Sequence, residues 1–266
     1  MTTRPLLLRA RTVVPDPASS IDDGAVLVVG ERVVRVGRFR DLEGEGARVR
    51  DLGDVALLPG LVNAHAHLDL TGARGRNAPT GDFLAWIQGI APLRESLRGG
   101  VVAAVEEGAR ELLASGCTLV GDLVSEAEGV EGLRRAGIRA VAFHEVLGFG
   151  ERVPRPLGAA IEAAERLPRD GTVLPGLAPH TPYTCTDELL RKCASASRER
   201  RLPLTIHAAE TRHENDWLLR GEGDFAAPLR DLFGPGRGVP GTSAARYLRD
   251  LGFLDEPRLV AHGNYL

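Results

Sequence analysis

Most of the seven histidines in these 266 residues directly follow short apolar runs. His65 and His67 follow Leu61-Val62-Asn63-Ala64. Two positions apart on an extended segment, their side chains project to one side. Two imidazoles on one side can share a divalent ion; two polar histidines in a turn is the competing reading. His207 closes Leu204-Thr205-Ile206 and suits a third ligand. Glu210 follows three residues later. A carboxylate beside a metal-activated water is what hydrolysis needs, because the ion lowers the water pKa and the carboxylate carries the proton. An acid at a helix start, favoured by the helix dipole, is the alternative for Glu210. His262 ends Leu259-Val260-Ala261. It either polarises a substrate group or orients the attacking water, or it is a satisfied core histidine. His180 follows Leu177-Ala178-Pro179, leads into Thr181-Pro182-Tyr183-Thr184, and is read as a substrate contact. His144-Glu145 ends another apolar run, with a structural pair and a pocket role equally open. His213 falls in a polar helix and is assigned to the surface.

The elements that must position these residues come in two rhythms. Residues 5–58 are all-β in pattern. Leu6-Leu7-Leu8, 25–29, 33–36 and 55–58 are short Val- and Leu-rich runs, separated by Asp22-Asp23-Gly24, Gly30-Glu31 and Gly53-Asp54. This predicts a small sheet or half-sandwich over residues 1–58. From residue 59 to 266, apolar runs at 61–63, 118–123, 138–146, 173–178, 204–208 and 258–261 alternate with helical periodicity. The predicted helices are 83–97, 101–115, 128–136, 157–167, 186–200, 211–219 and 242–250, with Ser125, Asp187 and Thr242 as expected caps. Strand–helix alternation specifies a parallel sheet wrapped by helices. In such a fold active sites gather at the C-terminal strand ends, where these histidines fall. Residues 220–241, rich in Gly and Pro, are read as an insertion. Trp86 is read as core rather than pocket mouth, Trp217 as part of a surface helix, and Arg74 and Arg76 as solvated.

Composition bounds the rest. The sequence is 43% hydrophobic and 26% charged with net charge −3. That is ordinary for a globular chain and gives no electrostatic reason for nucleic-acid or membrane partners. Three cysteines, odd in number and without a CxxC array, argue against a disulfide framework and for a reducing, cytoplasmic setting. No run approaches a membrane span and no signal peptide is evident.

Four motifs in order, PGLVNAHAHL, PHTPYTC, HAAE and AHG, resemble the amidohydrolase superfamily. More narrowly, they are similar to its cytosine-deaminase-like branch, which includes guanine, adenosylhomocysteine and aminofutalosine deaminases and the triazine hydrolases. The resemblance covers roughly residues 5–266. It implies a metal-dependent hydrolase TIM barrel, of which six of eight βα units are expected here, with a small β-sandwich segment. It implies one divalent metal, zinc first and iron as the alternative. His65, His67 and His207 would be ligands, Glu210 the proton shuttle and His262 a catalytic histidine. His180 and Tyr183 would touch the substrate. Related two-metal sites use a carboxylated lysine at the fourth strand end. The one lysine, Lys192, lies instead in the following helix, which disfavours that arrangement.

The sequence departs from the pattern at two points, the first being that the C-terminal strands that complete the family's small β-sandwich have no counterpart. The family's aspartate at the eighth strand end has no counterpart, so a truncation is expected; Asp69 and Asp122 are the nearby substitutes to consider. The reading is hydrolysis of non-peptide carbon–nitrogen bonds, foremost deamination of an aminated heterocycle or purine nucleoside derivative. Cyclic-amide or triazine hydrolysis is the alternative, and an inactive homologue that only binds metal or a partner is the third reading. The expected partner is a small heterocyclic substrate, and a homo-oligomer is compatible with the sequence.

Overall fold

The computed structural model describes residues 4–44, 46–77, 81–149, 152–168, 171–234 and 238–266. The chain divides into two compact units, Met1–Leu61 and Val62–Leu266.

In the first unit β1 (Leu6–Asp16) and β2 (Ser19–Val29) form an antiparallel hairpin, and β3 (Arg32–Arg38) extends it antiparallel to β2. Two short strands, β4 (Arg48–Asp51) and β5 (Ala56–Leu57), pair parallel with β1. Leu7, Ala25, Leu27 and Leu42 form its core. β1 continues past the apolar run Leu6-Leu7-Leu8 through Arg9 and Arg11. Both guanidiniums meet a carboxylate, Arg9 with Asp23 and Arg11 with Asp54, each at 2.7 Å. β4 has no apolar signal because all four of its residues are exposed.

In the second unit six strands follow one another in chain order. They are β6 (Leu61–Ala66), β7 (Cys117–Val124), β8 (Arg139–Phe149), β10 (Val173–Pro179), β11 (Thr205–Ala208) and β12 (Leu259–His262). β6, β7, β8 and β10 share one sheet, and β7, β8 and β10 are parallel. A parallel bridge between Leu177 and Leu204 continues it to the parallel pair β11–β12. This is the wall of an α/β barrel. β9 (Arg152–Arg155) folds back antiparallel on β8. Leu123, Phe143 and Ala178 cluster on one side of the strands. Gly176 is required there, because a Cβ would come within 2.6 Å of the Phe143 ring.

The helices are α1 (Phe83–Leu97), α2 (Val101–Ala114), α3 (Gly129–Ala136), α4 (Leu157–Arg166), α5 (Asp187–Arg200), α6 (Arg212–Arg220), α7 (Ala226–Phe233) and α8 (Ala244–Asp250). Their starts correct the expected caps. Thr186, not Asp187, caps α5 by accepting from the Leu189 N–H, and Ser243, not Thr242, stands at the N-cap of α8. Ser125 caps nothing; its hydroxyl donates to Asp69 at 2.6 Å.

The insertion has structure of its own, and one further expectation, Trp217 as surface, is overturned. The Gly- and Pro-rich insertion contains a helix, α7, since Phe225 and Leu229 bury one face of it between Gly223 and Gly234. Trp217 is core, 4% exposed, because α6 buries Glu214, Trp217 and Leu218 at helical spacing. His213, on the same helix, is partly covered: it pairs with Asp224 at 3.1 Å and stacks on Phe225. No described helix is long and apolar enough to cross a membrane.

Candidate metal centre

Three histidines from two strand ends converge on one point. β6 delivers His65, and His67 follows it by two residues; β11 delivers His207. The donor atoms of these three rings lie within 4.8 Å of one another, the one such His/Cys/Asp/Glu group among the described residues. His67 Nε2 and His207 Nε2 are 3.2 Å apart. The His65 ring stands edge-on to His67 and His207 at centroid distances of 5.1 and 4.8 Å.

Burial lowers the basicity of all three rings, and repulsion among neighbouring imidazoles lowers it further. His65 and His207 fall to about 4 and His67 to about 2. All three are therefore neutral at pH 7, the form in which an imidazole can ligate a cation. His207 Nδ1 lies 2.9 Å from the His180 carbonyl. A carbonyl only accepts, so Nδ1 carries the proton and Nε2 faces the cluster as a bare donor. His65 Nδ1 is buried with no hydrogen-bond partner among the described residues. Three neutral imidazoles, one of them with an orphaned buried nitrogen, are the donor set a divalent ion takes.

The other predicted residues surround this point. His262 lies at the end of β12, with ring centroids 5.2 Å from His65 and 5.5 Å from His207. Its Nε2 is 3.6 Å from Glu210 Oε1. Burial raises the Glu210 carboxyl above the ordinary value, against the opposing effect of His262. The turns presenting these two residues are unusual: Ala209 and His262 both have positive φ, 55° and 77°. Non-glycine residues hold this region only when neighbours enforce it. Here Gly263 N–H donates to Ala208 O at 3.0 Å, Asn264 N–H to Ala209 O at 2.8 Å, and the Asn264 amide to Glu210 O at 3.1 Å. The ends of β11 and β12 are thereby stitched together.

His180 lies beside the cluster, its ring 5.3 Å from His207 and its Nδ1 2.8 Å from Thr184 Oγ1. Tyr183 is buried against Phe225. Both line a cavity of about 540 Å³ between α1 and α7. Asp69 and Asp122 do not join the cluster. Asp69 is held by Ser125 and by Arg94 at 2.9 Å, and Asp122 accepts the Leu68 N–H at 2.9 Å. Arg74 pairs with Glu111 on the surface, as read from the sequence, and Trp86 is partly buried beside Phe83.

Three residues at the site were not selected from the sequence. Arg94, in α1, places Nη2 3.1 Å from His67 Nδ1. Arg155 donates to Glu145, one of the undecided pair at the end of β8. Glu214 accepts the N–H groups of Ala209 at 2.9 Å and Glu210 at 2.8 Å. Thr211 followed three residues later by Glu214, a capping pattern at a helix start, was the available signal for it. Burial would raise the Glu145 carboxyl, but the facing His180, Arg155 and Arg94 outweigh burial and hold it at about 2.

The Amidohydrolase family model matches residues 56–265. The chain belongs to the amidohydrolase family. It is 32% identical over 236 residues to a 5-methylthioadenosine/S-adenosylhomocysteine deaminase of Nitratidesulfovibrio vulgaris, covering 85% of this chain and 51% of that protein. It spans about half the length of the curated relatives it matches. Among solved structures it superimposes on the Helicobacter pylori aminofutalosine deaminase in complex with methylthio-coformycin, with TM-score 0.77 at 20% identity. That match covers 92% of this chain and 61% of the other and establishes shared fold. An adenosine deaminase from Xanthomonas campestris with bound zinc matches with TM-score 0.70 at 25% identity, over 93% of this chain and 55% of that one. This amidohydrolase therefore has a metal-dependent hydrolase barrel as its frame, and its histidine cluster sits in that frame.

Proposed function

We propose that this amidohydrolase deaminates a purine nucleoside derivative, with His65, His67 and His207 holding one divalent ion, zinc by its preference for imidazole donors. The observation that carries this reading is the convergence of three neutral imidazoles beside the Glu210–His262 pair. The names of the relatives supply the substrate class. When bound, such an ion supplies Lewis acidity that makes water nucleophilic at neutral pH.

The chain's own residues do the rest. Glu210, its carboxyl raised by burial, accepts a proton from the attacking water and returns it to the departing amine. His262, 3.6 Å from Glu210, hydrogen-bonds the water or the amine and fixes the carboxylate. His180 and Tyr183 contact the substrate and exclude bulk water from its reacting face.

The test is ammonia release by the zinc-loaded protein from adenosine derivatives, aminopterins and aminotriazines. Ammonia from adenosine derivatives is the expected result. Release of a leaving group only from triazines transfers the reading to triazine hydrolysis. Stoichiometric zinc binding without turnover of any compound reduces the chain to a metal-binding homologue.

A further inference from the structure

The cavity beside the histidine cluster has a distinctive chemistry. Its walls are apolar, with Leu84, Ile87 and Ala91 on α1, Leu229 and Leu232 around α7, and Leu147 on β8. Three arginines also line it, which at first suggests a site for an anion. None of the three has charge to spare. Arg94 pairs with Asp69 at 2.9 Å and lies 3.9 Å from Glu145. Arg155 donates to Glu145, whose side chain is 2% exposed. Arg98, at the rim, pairs with Glu95 at 2.9 Å and Glu126 at 3.2 Å. Asp69, Glu95, Glu126 and Glu145 all belong to the lining, so carboxylates outnumber guanidiniums. A charged group entering here would lose its water and find every opposite charge already paired, which is costly in a confined apolar space. A volume of about 540 Å³ also leaves room for far more than a methyl group.

We infer that this cavity takes an uncharged, apolar arm extending from the substrate's sugar, and that Glu145 sets this preference by holding Arg155, as Asp69 holds Arg94. The inference rests on the nucleoside reading above. His180 and Tyr183 line the cavity, and the His180 ring lies 5.3 Å from that of His207, so the cavity is the room next to a base placed for attack. Glu145 acts here as a specificity residue, not through the reacting atoms.

The test compares calorimetric dissociation constants of the zinc-loaded protein for three adenosines. They carry a 5′-methylthio group, a 5′-phenylthio group and the zwitterionic homocysteinyl group of S-adenosylhomocysteine. Both neutral thioethers should bind about tenfold or more tighter than the zwitterion, with the phenylthio compound at least as tight as the methylthio. Glu145→Gln should move the ratio about tenfold toward the carboxylate-bearing ligand, since Arg155 then has charge available while Arg94 stays with Asp69. Equal or tighter binding of the zwitterion by the unsubstituted protein overturns the inference, as does an unmoved ratio in a folded Glu145→Gln protein. If that variant does not fold, the ratio in the unsubstituted protein decides alone. Ammonia release from the same ligands separates the two readings. A predicted binding order without release overturns only the deaminase reading. A reversed order with release overturns only the cavity inference, and no binding of any of the three overturns both.

Discussion

Glu210 and Glu145 are both carboxylates near the histidine cluster, and their surroundings push them in opposite directions. Glu210 faces one histidine and is raised by burial, which suits a group that must take and return a proton. Glu210→Gln keeps size and hydrogen bonding but cannot shuttle a proton. It should lower kcat by about 10²–10⁴-fold while zinc stoichiometry stays unchanged, because Glu210 is not among the converged donors. Zinc loss in parallel with activity would instead make it a ligand. Glu145 is held at about 2 against the ordinary 4.5. Its folded-state value is depressed, so the unfolded chain binds the extra proton between these values. The stabilisation, about 3 kcal/mol, is complete above pH 4.5 and lost as pH falls toward 2. Urea melts at stepped pH should show this slope in the unsubstituted protein and a flatter one in Glu145→Gln. Equal slopes would mean that Glu145 is not held by its arginines.

At the scale of elements, the turn from β11 into α6 decides where Glu210 points. Thr211 caps α6 by accepting the Glu214 N–H at 3.2 Å, and the Glu214 carboxylate reaches back to two preceding N–H groups. Truncation at Glu214 strands two buried donors and frees Ala209, which sits at φ 55°. Glu214→Ala should cost about 2–4 kcal/mol in stability and lower kcat more than it raises KM. Glu214→Gln, which still accepts, should recover part of both; equal losses in the two variants would refute a positioning role. This turn also shows what the sequence made legible. Helices such as α1 and α5 were readable from their apolar periodicity, and strand ends were readable because every apolar run except 118–123 contains or leads into a histidine. α7 was hidden by its flanking glycines, although Phe225 and Leu229 keep helical spacing. β4 was hidden because it buries nothing. At the site, His65, His67, His207, Glu210 and His262 follow strands in sequence, so local pattern exposes them. Arg94 reaches His67 from a helix 27 residues away. Nothing local marks such a contact; only packing of α1 against the strand ends creates it.

At the scale of the whole molecule, the three histidines join strands that are far apart in the sheet. β6 is the first of the six barrel strands in chain order and β11 the fifth, yet His65 and His67 meet His207. A bound ion thus closes a long loop of chain and ties one end of the strand array to the other. An ion that binds only the folded chain stabilises it by mass action, about 4 kcal/mol when free zinc is a thousandfold above Kd. For a unit of this size, each kcal/mol shifts Tm by about 2–4 °C. Chelation should therefore lower Tm by roughly 8–16 °C, and readdition of zinc should restore it. His207→Ala breaks the link between the two ends of the array, so its Tm should barely respond to zinc or chelator. A full zinc response in that variant would place the ion on other residues. The scanning calorimetry that measures this is independent of turnover, so it tests the metal centre even if the proposed substrate is wrong.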